Sequence, residues 1–429
     1  MNAPSPPAAL RPTASNSLAD AATAPRTPSP SAVPLALSPS AARALRNRFP
    51  VLRHLAYLNA GTDGPLPRAA VQAAATELRR EAQEGRAGRH FERRGELNHS
   101  LRAAYASLLG CASEDLALTT CTTEGLAVVL GGLQLARGEE ILTSDEEHPG
   151  LLGALAAERA LRGVAVRTAP WSELPAAVGL RTRLVAVSHV SWMTGRLAPT
   201  AELADTGVPV LLDGAQGVGA VPTDVRALRC AAYAGAGQKW LCGPDGTGLL
   251  YVAPELREQL AVARRGYANL ADPGAGLDAA LHADARRFDT LSLSAETVAC
   301  ALSAFQVLER AGWPRVLERA RLLAAELAER LAARGREVVG RQTGGGQPSH
   351  SAASETSGGA GGGAGGPSLT DHRGTLVTFA SPDPLAERER LAAQGVVLRD
   401  IPGRPWLRAS VGAWNDESDL DRLLDALQQ

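Results

Sequence analysis

Between residues 116 and 253 the chain alternates short apolar runs with longer segments whose apolar residues recur at helical spacing. The runs LALTT (116–120), EILTS (140–144), VAVRT (164–168), RLVAVSH (183–189), PVLLDG (209–214), CAAYAG (230–235) and GLLYVA (248–253) predict seven strands. Helical patterns occupy several of the gaps, as at 124–135 and 151–161. This alternation predicts an α/β fold in which helices cover both faces of a mostly parallel seven-stranded sheet. Ligands in such sheets gather at the carboxyl ends of the strands.

After residue 294 the pattern lengthens into helices at 295–311 and 315–334, the second with Arg and Glu three and four residues apart. A strand at 375–380, a helix at 385–394, a strand at 396–401 and a closing helix from Glu417 complete a smaller α+β carboxyl-terminal domain, residues 295–429. Residues 66–294 form the large domain, and 39–65 an amino-terminal segment expected to pack on the small one. The site is expected where the domains meet. Residues 1–38 are rich in Ala, Pro, Ser and Thr without an apolar core, which predicts a disordered tail rather than a signal peptide or anchor. The Gly-rich run at 343–368 lacks the flanking strand and helix of a nucleotide loop and reads as a flexible insertion.

Composition narrows the partner. The 429 residues are 45% hydrophobic and 21% charged, ordinary for a soluble protein. A net charge of −1 offers no general attraction for nucleic acid or an anionic membrane, so a small molecule is the expected partner. The five Cys are odd in number and form no C-x-x-C pair, and the His residues show no H-x-x-x-H spacing. Neither a metal site nor a disulfide framework is indicated, and a reducing cytoplasm is expected. The 44 Lys and Arg include a single Lys, Lys239. Arg stays protonated where Lys can lose its proton and attack a carbonyl, so a lone Lys in an Arg-rich chain marks a candidate nucleophile.

The residues that follow the predicted strands extend this reading. Thr122 and Thr123 open a helix, as a plain cap or as a cradle for phosphate. His148 precedes another helix, where a lone His is commonly structural. Ser188 and His189 end the run at 183–189. Asp213 and Gln216 follow PVLL, where an Asp is often only a turn residue. Lys239 follows CAAYAG, with Gln238 before it. An anion cradle, an aromatic base, a carboxylate and an amine together are what pyridoxal 5′-phosphate (PLP) requires. No G-x-S-x-G elbow points instead to a hydrolase.

The motifs YLNAGTDGPLP, CTTEG, SDEEHPG, VSHVSWMTG, LLDGAQGVG, GQKWLCGPDGTG and LRASVGAWNDESDLDRL occur in one order along residues 57–427. In them the chain resembles the class V aminotransferase family of fold-type I PLP enzymes, which includes the cysteine desulfurases. The resemblance implies the PLP-dependent transferase fold and a homodimer with its site at the subunit boundary. It assigns Lys239 to the Schiff base, Asp213 to the pyridinium nitrogen, Gln216 to the ring hydroxyl and His148 to stacking on the ring. Thr122, Thr123, His189, Gln238 and, from the partner subunit, Ser292 are cofactor contacts by the same likeness. Arg408 is the clamp for the substrate carboxylate, a role suited to a planar guanidinium, with Asn59 beside it. Tyr57 and Arg399 are further pocket candidates.

Departures from the family pattern refine the expected chemistry. Gln238 and Ala236 stand where many relatives have His and Ser, and Ala236 cannot bond a phosphate. No Cys precedes Arg408 in VVLRDIPGRPWLRAS, so a persulfide relay lacks its thiolate. The wording is similar to the cysteine/cystine C-S lyase and isopenicillin-N-epimerase-like branches. The expected reaction is β-elimination from a cysteine- or cystine-type amino acid. Transamination and epimerisation share its Cα carbanion, and a non-catalytic scaffold is the remote alternative.

Overall fold

The computed structural model describes residues 36–340 and 374–428. Most of the expected tail, residues 1–35, and the whole Gly-rich run at 343–368 lie outside them. All seven strands form one sheet. Across it run Leu116–Thr119, Gly248–Val252, Ala232–Ala236, Val210–Asp213, Thr182–Ser188, Glu140–Ser144 and Ala165–Ala169. Gly248–Val252 is antiparallel to both neighbours, and the remaining pairs are parallel.

Side chains alternate between the faces with a period of two, and both faces are covered. Leu116, Leu118, Val185, Val187, Leu249 and Tyr251 face one core, shared with Leu97, Leu101 and Leu109 of helix Gly88–Leu109. Ala117, Leu184, Ala186, Leu250 and Val252 face the other, under helices Thr122–Gly132 and Pro149–Arg162. Helix Ala295–Ala311, placed by pattern in the carboxyl-terminal part, adds Val298, Ala299 and Phe305 to the first core. It packs along helix Arg68–Glu84. That helix and Gly88–Leu109 are absent from the strand-centred reading of the sequence, because their apolar stripes are broken by Arg and Glu.

A second assembly follows. Trp406–Ser410 lies between Arg399–Asp400 and Leu376–Ala380 in a three-stranded antiparallel sheet. Its core joins Leu407 and Phe379 to Leu323 and Leu327 of helix Trp313–Ala333, Leu391 of Pro384–Ala393, and Leu420 and Leu424 of Glu417–Ala426. The run at 396–401, expected as one strand, divides at the buried Leu398. Val396–Val397 pairs in parallel with Ala56–Tyr57, whereas Arg399–Asp400 joins the three-stranded sheet. An apolar run does not show which neighbour its backbone will meet.

Candidate active site

Parallel strands deliver their following loops to one edge of the sheet. At that edge lies a cavity of about 290 Å³, and five strands of the main sheet each send a loop into its wall.

The first loop is an uncapped helix start. Cys121 is extended at the N-cap and makes no side-chain cap bond to helix Thr122–Gly132. Glu124 turns back to accept from Thr120 N and Oγ1 at 2.6 and 2.7 Å, leaving the amides of the first turn free. Thr122 Oγ1 is buried without a partner among the described residues. Buried hydroxyls are normally bonded, so these groups fit an anion at the positive end of the helix.

The second loop presents His148 as N-cap of helix Pro149–Arg162, with Nδ1 accepting from Gly150 N at 3.0 Å. Nδ1 is therefore the unprotonated nitrogen. Burial and the charges of Lys239, Arg399 and Arg408 lower its pKa to about 4. The imidazole is neutral at physiological pH, and its ring meets Trp192 edge-on at 5.0 Å. Asp213 ends Val210–Asp213, buried, with Oδ1 accepting from Ala215 N at 2.9 Å. Burial raises its pKa, opposed by that N–H and by Lys239. Its carboxylate forms no ion pair among the described residues, which suits a cationic ring nitrogen.

Lys239 follows Ala232–Ala236. Burial is the main cause lowering its pKa to about 8. Asp213 opposes the shift, and Arg408 adds to it. Beside it, Gln238 Oε1 is buried without a partner. Turned over about its last bond, the amide presents N–H groups to an anion.

Gln216 is more occupied than the resemblance implied. Its Nε2 donates to Gly61 O at 2.7 Å and its Oε1 accepts from Trp240 Nε1 at 3.0 Å. It thereby positions the Gly61–Gly64 turn and keeps one N–H for a ligand. Gly64 N donates to Gln238 O at 2.7 Å, and a Cβ at Gly64 would stand 2.0 Å from Lys239 O. Only a residue without a side chain allows that approach.

The small sheet contributes Arg408 and Arg399. Arg408 is 1% exposed, and Nη1 donates to Trp192 O at 2.8 Å. Burial and Arg399 lower its pKa, while delocalisation keeps the guanidinium charged. Neither arginine pairs with a carboxylate among the described residues. A buried cation without an anion is costly, so the site fits an anionic ligand.

Thr122, Thr123, His148, Asp213, Gln216 and Gln238 line the cavity with Lys239, Arg399 and Arg408. Four sequence candidates do not. His189 lies beneath Asp213, its N–H donating to Asp213 O at 2.8 Å and its Nδ1 lying 3.1 Å from Tyr233 Oη. Asn59 stands behind the turn, accepting from Thr62 Oγ1 at 2.9 Å. Ser292 is exposed and outside the cavity of its own chain. Tyr57 also stays out of the wall, with its hydroxyl donating to Asp63 O at 2.9 Å.

Sequence reasoning missed Cys121, Trp192 and the turn residues Gly61, Thr62 and Asp63. It also missed Glu147, whose buried carboxylate accepts from Ser188 N and Oγ and from Ser144 Oγ, tying two strand ends together. Burial raises its pKa to about 7. Nothing in the pattern of SDEEHPG distinguishes Glu147 from a solvated acid.

The profile of the family described as Aminotransferase class-V matches residues 56–351. The isopenicillin N epimerase of Amycolatopsis lactamdurans is 31% identical over 396 residues, 87% of this chain and 94% of that protein. That of Streptomyces clavuligerus is 33% identical over 238 residues, 52% of this chain and 60% of its own length. Among solved structures, the complex of the cystine C-S lyase C-DES with its reaction product cysteine persulfide matches with a TM-score of 0.78 and 26% identity, covering 88% of this chain and 98% of that one. A C-DES mutant with glycine covalently linked to the PLP cofactor gives the same TM-score.

Proposed function

Because the chain belongs to the aminotransferase class-V family, we propose that it is a PLP-dependent C-S lyase acting on a cysteine- or cystine-type amino acid. The observation that carries this reading is the convergence of Lys239 with the buried, carboxylate-free Arg408 in one cavity. Likeness to C-DES over 98% of its length supports sulfur as the leaving atom.

PLP, when bound, supplies an electron sink for the pair released at Cα. The first-turn amides, Thr122, Thr123 and Gln238 would hold its phosphate, Asp213 its ring nitrogen and Lys239 its carbonyl carbon. His148 would cover its ring. Arg408 receives the substrate carboxylate through two parallel N–H donors and so presents Cα to Lys239. Neutral Lys239 takes the Cα proton, and the β-sulfur leaves with the C–S bonding pair. Cystine and water then give pyruvate, ammonia and cysteine persulfide. Cys121 lies beside Thr122 and Thr123 at the phosphate end, so the substrate end of the cavity around Arg408 has no thiol to take over the sulfur.

The assembly we propose is a homodimer in which Ser292 of one copy reaches the phosphate of the other. All five Cys are free, which suits the cytoplasm. Among the described residues no helix is long and apolar enough to cross a membrane.

Epimerisation is the second reading, favoured by the match over 94% of the Amycolatopsis epimerase. The test is to supply the protein with PLP and L-cystine or L-cysteine and follow pyruvate. Continuous pyruvate release supports elimination. Inversion at Cα without pyruvate moves the assignment to epimerisation, and one equivalent of oxo acid per site moves it to transamination.

A further inference from the structure

The run SDEEHPG sets two buried glutamates side by side. Glu147 ties strand ends together, but its neighbour Glu146 serves a different element. The Glu146 carboxylate accepts from three side chains of the loop after strand Thr182–Ser188: Ser191 Oγ, Thr194 Oγ1 at 2.7 Å and Arg196 Nη2, the last as an ion pair. One oxygen, Oε2, takes both hydroxyls. Ser191 and Thr194 are buried, whereas Arg196 is half-buried at the rim of the group. Glu146 is outside the wall of the active-site cavity.

The loop is a short hairpin. Val190 and Leu197 form its closing bridge, Ser191 N donates to Arg196 O at 2.8 Å, and Gly195 N donates to Ser191 O at 2.9 Å. With its proton committed to Glu146, Ser191 Oγ turns its lone pairs inward and accepts from Thr194 N at 3.1 Å and Met193 N at 3.3 Å. These amides are satisfied within the loop, and the carbonyls at its tip face the small sheet. Trp192 O accepts from Arg408 Nη1 at 2.8 Å, and Met193 O accepts from Thr378 Oγ1 at 2.6 Å. The side chains of Trp192 and Met193 pack with Ile401. Among the described residues, the only other hydrogen bond of Arg408 is a 3.5 Å contact to Thr62 Oγ1, and its Nε is without a partner. The guanidinium is therefore aimed by one carbonyl, and that carbonyl is held in place from Glu146. Without the carboxylate, two buried hydroxyls lose their acceptor, and Ser191 recovers one only by releasing the amides it holds.

We infer that Glu146 is a positioning residue for substrate recognition: it fixes the hairpin at 190–197, whose Trp192 carbonyl sets Arg408 for the carboxylate of the amino acid. The inference rests on the assignment of Arg408 as carboxylate clamp and is independent of which bond breaks afterwards.

The test titrates PLP-loaded protein with L-alanine and with ethylamine, the same amine without the carboxylate, and reads both dissociation constants from the cofactor absorbance. Glu146→Ala should weaken L-alanine about tenfold, as a misaimed clamp does, and leave ethylamine within about twofold. Glu146→Gln should keep most of the preference, because an amide oxygen can take the place of Oε2 and only the half-buried pair with Arg196 is lost. In an Arg408→Gln background Glu146→Ala should cost L-alanine nothing further, since the two residues act as one unit. Equal weakening of both amines, no weakening of either, or a full additional loss in the Arg408→Gln background overturns the inference. Thr194→Val keeps the shape and removes one loop-side donor; it should weaken L-alanine alone by about threefold, and it decides the question if Glu146→Ala does not fold, an unchanged constant refuting the role. Unaltered protein that binds both amines alike removes Arg408 as the clamp and the inference with it. Absence of pyruvate from cystine, by contrast, removes only the lyase reading.

Discussion

Lys239 offers a direct check on the electrostatics of the site, because its free amine must be neutral to attack a carbonyl. The perturbation is pH, applied to protein stripped of PLP. With a pKa of about 8, about one lysine in ten is neutral at pH 7, whereas at the ordinary 10.5 it would be about three in ten thousand. Burial therefore enlarges the reactive population about 300-fold at that pH. The assay mixes apoprotein with PLP from pH 6 to 10 and follows the absorbance change of covalent capture, with borohydride trapping and mass spectrometry to locate the adduct. The second-order rate should rise about tenfold per pH unit up to about 8 and then level. Asp213 stabilises the ammonium, so Asp213→Asn should move the midpoint down. Arg408 destabilises it, so Arg408→Gln should move the midpoint up. A midpoint at or above about 10, or one that neither variant moves, would refute the claim that these groups tune the amine.

Three further outcomes are expected. Arg408→Gln removes the buried guanidinium that bonds Trp192 O and should lower kcat/KM by about 30-fold or more, from the range for truncating a buried charged partner; PLP affinity measured by cofactor fluorescence should change far less. His148 has a pKa of about 4 in the folded protein and 6.5 as its ordinary value, so the folded state binds fewer protons than the unfolded state between those values. Stability is then lost as pH falls through that window. His148→Gln should gain in Tm relative to the parent from pH 6.5 down to 4 and show a constant difference above 7; parallel profiles would contradict the assignment. Gly64→Ala drives a Cβ onto Lys239 O and should destabilise the protein by about 1–3 kcal/mol, as overpacking does, visible in a denaturant titration.

Much of the fold is local and therefore legible. Each of the seven strands falls within two residues of its run, because a strand buried on both faces must be apolar nearly throughout; only the edge strand Ala165–Ala169 is mostly half-buried. The Gly at the end of helix Pro149–Arg162, Gly163, adopts the left-handed conformation that terminates a helix. Helix Arg68–Glu84 escaped because a helix that buries Glu77 and Glu81 behind ion pairs with Arg80, Arg93 and Arg86 carries no clean apolar stripe. Trp406–Ser410 escaped because its Arg408 breaks an otherwise apolar run, and that interruption is the substrate clamp proposed here.

Lys239, Asp213, His148, Thr122 and Thr123 could be found from the chain because each lies at or just beyond the carboxyl end of a strand, and parallel topology sends all such ends to one edge. Order along the chain was enough to place them together. Tertiary structure alone decided the rest, since contacts between distant segments leave no local pattern. It turned His189 beneath Asp213 toward Tyr233, engaged Gln216 with Gly61 and Trp240, and brought Asp63 and Trp192 into one cavity with Arg399 and Arg408. Sequence periodicity encodes which face of an element is buried. What that face meets is set by packing of the whole chain, which no local pattern records.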